Sequence, residues 1–379
     1  MSTTDSARVL VADDQADVRM ALGLLMRDAG LETDGAGSVD EVRRKLEAGS
    51  YDLLLLDLNY ARDTTSGREG LELLAEVHAR DPLLPVVVMT GWGSVEMAVE
   101  AMRRGARTFV HKPWDNAVLS DAIRREVEDG RVARDAERRA SRDQADAQAI
   151  QRALLPSSLP AIPGCGLAAR WTPASAFGGD GYDVVQLTST TFAISVADVC
   201  GKGLAAALLM SNLQASVRAF ASIDPTPTHV AAKVNAALVR NVGLRRFVTF
   251  FYAVYDTETR ELTFANAGHN PPMVIGADGS IRRLATGGMV LGVFEPTTFE
   301  QERTCLRPGD HLVLFTDGIV EAEDAQGDEF GDDRLAGVVA RGRRGSAAAL
   351  VDGIFSEVTR FAPGPLQDDA TVVVLSVNA

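Results

Sequence analysis

Cysteine is scarce. The three residues, Cys165, Cys200 and Cys305, are widely spaced and odd in number, so no disulfide framework is implied. No apolar run approaches the roughly 18 residues of a membrane span, and the polar start, Met1 to Ala7, lacks the apolar segment of an export signal. The expected compartment is the cytoplasm, with no membrane partner. Positive charge is in deficit, 38 Lys and Arg against 52 Asp and Glu, a net charge of −14. Phosphate backbones need a basic patch, so no nucleic-acid partner is expected, and no helix-turn-helix pattern argues otherwise. Gly201-Lys202-Gly203 lacks the G-x-x-x-x-G-K-[ST] frame, which excludes a nucleotide loop. No Arg-rich phosphate loop follows Cys200, which excludes a cysteine phosphatase.

What is present is length and acid. With 379 residues and 46% hydrophobic content the chain makes two domains and a connector. Gly178-Gly179-Asp180-Gly181-Tyr182-Asp183 and Ala197-Asp198-Val199-Cys200-Gly201-Lys202-Gly203 flank Val184 to Val196, which has the composition of a β-hairpin around Thr188-Ser189-Thr190. A hairpin of that length brings Asp180 and Asp198 to one end of a sheet. The strand Leu312 to Phe315 runs into Thr316-Asp317-Gly318, and Asp368-Asp369-Ala370-Thr371 opens a last strand, Val372 to Val377. Acids at four strand ends or turns are what a two-metal phosphoryl centre needs, and hard oxygen ligands favour Mg²⁺ or Mn²⁺. Helices are expected over Leu204 to Phe220 and Pro227 to Asn241, and strands over Phe247 to Tyr255 and Glu261 to Asn266. A hairpin turns at Asp278-Gly279.

The first 125 residues alternate strand and helix. Arg8 to Asp14, Tyr51 to Leu56, Pro85 to Met89 and Phe109 to Pro113 read as strands, with helices over 39–48, 69–80, 94–104 and 115–129 and another after Asp14. That order implies a parallel sheet covered on both faces, with ligands at the C-terminal strand edge. Asp13, Asp14, Asp57, Thr90 and Lys112 all fall on that edge. The acid pair suits a divalent cation, Asp57 a phosphoryl-accepting nucleophile, and Thr90 and Lys112 contacts to phosphoryl oxygens.

Between the two lies Glu126 to Arg152, free of proline and rich in interleaved Arg, Asp and Glu, as in a solvated helix laced with opposite-charge pairs. Ala133, Ala136, Ala140, Asp143, Ala147, Ile150 and Leu154 recur at 3-4 spacing. The seam fits a lone surface helix, a parallel dimer, or a helix packed on the C-terminal domain, and the last N-terminal helix can run straight into it. Leu155-Pro156 ends it.

Residues 1–125 resemble the receiver domain of two-component response regulators. Residues 155–379 resemble a PPM-type (protein phosphatase 2C-like) serine/threonine phosphatase of the SpoIIE subgroup. The ordered pieces of the second resemblance are Leu154-Leu155-Pro156, Gly178-Gly179-Asp180, Ala197-Asp198-Val199, Gly268-His269-Asn270-Pro271-Pro272, Thr316-Asp317-Gly318, Glu329-Phe330-Gly331 and Asp368-Asp369-Ala370-Thr371. The implied fold is α/β multidomain: a flavodoxin-like doubly wound receiver (1–125), a helical linker (126–155), then an α+β PPM β-sandwich flanked by helices (156–379).

In the receiver the resemblance implies Asp57 as phosphoacceptor, Asp13, Asp14 and the Asn59 carbonyl as Mg²⁺ ligands, Thr90, Lys112 and Phe109 as switch residues, and a cis bond at Lys112-Pro113. The segment Asn59 to Gly67 departs from the short Met-Pro loop of most receivers. In the phosphatase it implies two Mg²⁺ or Mn²⁺ ions. Asp198 would bridge them, with Asp180, the Val199 carbonyl, Asp317 and Asp368 as ligands; Asp369 is left as a replacement for Asp368 or a third-ion ligand. Asp183 reads as structural, and His269 as either general acid or structural. The implied partners are a histidine kinase phosphodonor and a STAS-like phosphoprotein substrate, with a homodimer expected. The competing reading is a non-catalytic phosphatase-shaped scaffold under receiver control.

Overall fold

The computed structural model describes residues 6–59, 68–91, 95–156, 158–241 and 246–378. The atypical loop after Asn59 therefore falls, from residue 60 to 67, outside the described residues. The chain divides into two compact units, Met1–Gln144 and Ala145–Ala379. The first runs β1 (Arg8–Ala12), α1 (Ala16–Asp28), β2 (Glu32–Ala36), α2 (Val39–Ala48), β3 (Leu53–Asp57), α3 (Arg68–Arg80), β4 (Val86–Thr90), α4 (Val95–Arg103), β5 (Thr108–His111), and enters α5 (Asn116–Leu154). Its five strands form a parallel sheet in the order β2-β1-β3-β4-β5.

Alternate residues of each strand feed two cores. Leu10, Leu54, Leu56, Val86 and Val88 face one layer of helices; Val9, Val11, Leu53, Leu55, Val87 and Met89 face the other. Burial on both faces is why β1, β3 and β4 read as unbroken apolar runs. β2 is the exception. Its sequence, Glu-Thr-Asp-Gly-Ala, lies at the sheet edge and buries only Ala36, so the hydrophobic pattern that yields the other four strands passes over it.

The second unit continues with β6 (Cys165–Thr172), β7 (Gly181–Gln186), β8 (Thr191–Val199), α6 (Leu204–Ala221), α7 (Pro227–Asn241), β9 (Val248–Asp256), β10 (Glu261–Ala267), β11 (Met273–Ile275) and β12 (Ile281–Arg283). There follow β13 (Gly287–Gly288), β14 (Glu302–Cys305), β15 (His311–Phe315), α8 (Asp317–Val320), α9 (Gly331–Gly342), α10 (Ala347–Phe361) and β16 (Ala370–Val377). One sheet has the path β13-β10-β9-β8-β7 with β14 on β10; the other is β12-β11-β15-β16-β6.

Strand parity again sorts the side chains. Phe192, Ile194, Val196, Leu312, Leu314, Val373 and Leu375 meet between the sheets. Ala193, Ala197 and Val199 turn outward under α6 and α7, and Val313, Phe315, Val372 and Val374 turn outward under α9 and α10. This is a four-layer sandwich. The hairpin expected at Thr188-Ser189-Thr190 is β7–β8, and the one at Asp278-Gly279 is β11–β12.

One expectation is overturned here. α6 has 18 residues and a mean hydropathy of 1.2, long and apolar enough by composition to cross a membrane, although the sequence reading finds no run of that kind. Its apolar content has a local cause: Ala206, Leu209, Met210, Leu213 and Val217 are buried against the outer face of the β8 sheet.

The helix expected at 115–129 does run straight into the linker: α5 is one helix of 39 residues. Its charges behave differently from a helix stitched by its own i,i+4 pairs. Arg131 reaches Asp52 at 3.0 and 3.1 Å, and Arg134 reaches Asp81 at 3.1 Å and the Tyr51 carbonyl at 2.9 Å. Between them and the sheet, Gly130 lies against Pro85, where a Cβ would stand 2.6 Å from the ring Cγ. Alanine improves helix propensity over glycine by about 1 kcal/mol, but overpacking against a rigid ring costs about 1–3 kcal/mol. Gly130→Ala is therefore expected to lower the urea-unfolding stability of the first unit in the full chain; a gain in stability would refute this close approach.

Candidate functional site

At the C-terminal edge of the parallel sheet, carboxylate oxygens of Asp13, Asp14 and Asp57 lie within 4.8 Å of one another. Asp13 and Asp57 are buried. The Lys112 ammonium bridges them, 2.8 Å from Asp13 Oδ2 and 2.8 Å from Asp57 Oδ2. Burial pushes Asp57 above the usual carboxylate range, with Lys112 only partly opposing it. Burial works against the Lys112 charge too, but its two aspartate hydrogen bonds outweigh that and raise its pKa.

Parallel register puts Thr90 beside His111, and Thr90 Oγ1 lies 3.1 Å from His111 Nδ1. The half-exposed Phe109 ring packs edge-on to His111, 5.3 Å between centroids. The Asn59 amide is 3.4 Å from Asp57 Oδ1, and Lys112-Pro113 is cis.

The second centre lies at one end of the sandwich. Register sets Gly181 opposite Ala197 and Phe315 opposite Val372, so Asp180 approaches Asp198 from one sheet while the Thr316-Asp317 and Asp369-Thr371 ends meet in the other. Thr316 and Thr371 both donate their hydroxyls to Asp180 Oδ2 at 2.6 Å, joining the two sheets through one carboxylate. Asp369 is buried and accepts from Ala174 N at 2.8 Å and Gly179 N at 2.5 Å. Gly179 in turn lies on the Val199 carbonyl, 2.9 Å from where a Cβ would stand. The Asp317-Gly318 turn lies on the backbone of Asp369, whose carbonyl would be 2.2 Å from a Gly318 Cβ. Asp368 is half-exposed and pairs with Lys202 at 3.0 Å.

The electrostatics follow from this crowding. Burial and the Asp198 charge hold Asp180 well above the ordinary carboxylate range despite its two threonine donors. Burial, then Asp317, Asp368, Asp369 and Glu321, pushes Asp198 up to about 7. Burial, then Glu321 and Asp368, pushes Asp317 up to about 6. A donor set made only of hard, mutually repelling oxygens fits divalent cations such as Mg²⁺ or Mn²⁺, which would remove that repulsion.

Thr316, Thr371 and Glu321 escape the sequence reading as site residues, although both threonines stand in the motifs that carry the acids. Gln151, near the end of α5, has no sequence signal; it is buried and exchanges hydrogen bonds with Gly178, Nε2 to the carbonyl at 2.6 Å and amide to Oε1 at 3.3 Å. Asp183 is held by a fork of bonds from Arg218 at 2.6 and 3.0 Å, a structural pairing. His269 is buried, with Nδ1 2.9 Å from Thr249 Oγ1 and its backbone held by Asn266. Burial pushes it down to about 4, so it is neutral at physiological pH.

A histidine with a folded pKa below its unfolded one adds stability above about pH 6.5 that is lost as pH falls towards 4, on the order of 3 kcal/mol. Unfolding free energies of wild type and His269→Gln are expected to diverge in slope across that window, the wild type losing stability faster on acidification. Parallel slopes would contradict the buried neutral ring.

The family profile described as stage II sporulation protein E (SpoIIE) matches residues 188–378, and the response regulator receiver domain profile matches residues 9–124. Over 227 residues the chain is 30% identical to the phosphoserine phosphatase RsbU of Bacillus subtilis, spanning 60% of this chain and 67% of RsbU. It is 27% identical over 257 residues to Protein IcfG of Synechocystis, spanning 60% of this chain but only 40% of IcfG. The SiaA-PP2C domain of Pseudomonas aeruginosa shares the fold, with a TM-score of 0.56 at 20% identity over 64% of this chain and 98% of that domain. With a receiver sheet in its first unit and a PP2C-type sandwich in its second, the chain belongs to the SpoIIE family of PPM-type phosphatases, in a form fused to a response-regulator receiver.

Proposed function

We propose that this protein is a response regulator whose output is metal-dependent hydrolysis of phosphoserine or phosphothreonine on a protein, controlled by phosphorylation of Asp57. The observation that carries this is the convergence of Asp180, Asp198, Asp317 and Asp368 on one end of the sandwich, where among the described residues the pairing cation is Lys202 at the rim. In this reading residues 1–125 are the receiver, 126–155 the linker and 156–379 the phosphatase. The partners are a histidine kinase and a STAS-like phosphoprotein, and the protein works in the cytoplasm as a homodimer. The linker seam supports the last point, since Ala136, Ala140, Asp143, Ile150 and Leu154 are exposed on α5.

In the phosphatase site Asp198, the Val199 carbonyl, Asp180, Asp317 and Asp368 would be the cation-holding groups, with Asp198 shared between the ions. Asp368 takes this role rather than Asp369, because both Asp369 oxygens already accept backbone amides that fix the Gly179 loop. Bound Mg²⁺ or Mn²⁺ supplies Lewis acidity and an activated water at neutral pH. The protein's own part is positional: the threonine hydroxyls aim Asp180, and the Asp369 latch holds the loop bearing it. In the receiver, Asp13, Asp14 and the Asn59 carbonyl hold Mg²⁺, and Asp57 is the nucleophile. Lys112 and Thr90 take phosphoryl oxygens, and Phe109 responds.

Asp198→Asn is expected to reduce Mn²⁺-dependent phosphate release from an aryl phosphate to background while the fold persists by circular dichroism. Wild-type turnover no faster than that variant would leave only a scaffold. A second expectation concerns control: a phosphoryl mimic at Asp57 alters the phosphatase rate or oligomeric state through α5, and Asp57→Asn abolishes the response. Identical rates and sizes with and without the mimic would sink it.

A further inference from the structure

The turn Cys200-Gly201-Lys202-Gly203 directly follows Asp198 and Val199 and is unused by the chemistry above. Gly201 (φ +96°) and Gly203 (φ +82°) bracket Lys202 with left-handed backbone that a side chain would strain. The turn is anchored at its base: Cys200 N donates to the Phe247 carbonyl at 3.0 Å, and Arg246 Nη1 donates to the Cys200 carbonyl at 3.1 Å. The base is fixed while the Lys202 side chain, 49% exposed, projects at the rim. Its ammonium lies 3.0 Å from Asp368 Oδ2 and also donates to the Gln367 carbonyl. Among the described residues, Lys202 is the one cation that pairs with any of Asp180, Asp198, Asp317, Asp368 or Asp369.

We propose that Lys202 recognises the phosphoryl group of the substrate, exchanging its contact with Asp368 for a charge-assisted hydrogen bond to a phosphoryl oxygen. A phosphate monoester arrives as an anion, and beyond the metal ions a cation at the entrance adds a charge-assisted hydrogen bond to one of its oxygens. Lysine suits this role, because a compact charge on a four-carbon stem can leave one oxygen for another without moving the backbone. Asp368 is also the acid assigned above to a metal ion, and once its charge is balanced there the ammonium is released towards solvent and the incoming anion. This assignment rests on the phosphatase reading. The competing role is a tether, in which Lys202 only pins the 367–368 turn.

The test uses the full chain, as wild type, Lys202→Met and Lys202→Arg. Steady-state kinetics with Mn²⁺ on an aryl phosphate and a phosphoserine peptide are combined with thermal shifts caused by Mn²⁺ alone and by inorganic phosphate in the presence of Mn²⁺. Lys202→Met is expected to raise KM for both substrates roughly 10- to 100-fold, with kcat changed only a few-fold, as for a lost charged hydrogen bond. Lys202→Arg recovers most of that. The phosphate-induced rise in Tm disappears in Lys202→Met while the Mn²⁺-induced rise persists. An unchanged KM with an unchanged phosphate shift overturns the proposal, as does loss of the Mn²⁺ shift in Lys202→Met, which assigns the tether role. If wild type releases no phosphate, the phosphatase reading has failed, and the phosphate shift in wild type against Lys202→Met still decides whether Lys202 holds the anion.

Discussion

Like charge gathered in a poorly solvated place sets the terms for the C-terminal unit. Asp180, Asp198 and Asp317 stand at the end of an otherwise apolar sandwich, and each is pushed towards its protonated form by burial and by its neighbours. The fold holds them there by means independent of their charge. Register across β7–β8 and β15–β16 delivers the strand ends. Two threonine hydroxyls fix Asp180, and two backbone amides fix Asp369. A framework rigid enough to keep repelling groups together is pre-organised for cations, because the energetic penalty of gathering the ligands has already been met by packing.

The receiver resolves the same difficulty differently. Its acids, Asp13 and Asp57, share one internal cation, Lys112, at 2.8 Å from each. Asp14 is the third carboxylate of that cluster, so one protein cation there faces three acids. In the phosphatase centre, among the described residues, the lysine that pairs with the acids stands at the edge, on Asp368.

Joining the two is a helix whose sequence looks featureless. Its arginines do not pair mainly along the helix; Arg131 and Arg134 reach Asp52 and Asp81 of the receiver unit. Near its far end Gln151 bonds both ways to Gly178, two residues before Asp180. Both anchors are polar side chains meeting loop backbone or loop acids, and neither leaves an apolar periodicity in the chain.

Several features follow from the sequence by itself because they are written in local chemistry. Strands buried on both faces appear as continuous apolar runs, and the acids stand at their ends, so the parallel sheet, the β7–β8 hairpin and the acid stations are legible before any coordinates. Where a segment's burial depends on distant partners, the chain is mute. β2 is polar because it lies at an edge, and α6 is apolar because a sheet covers it. Asp368 and Asp369 are adjacent and chemically identical, yet one meets solvent and Lys202 while the other is locked by the amides of Ala174 and Gly179. Only tertiary structure separates them, because the difference lies in what the rest of the fold brings against each carboxylate.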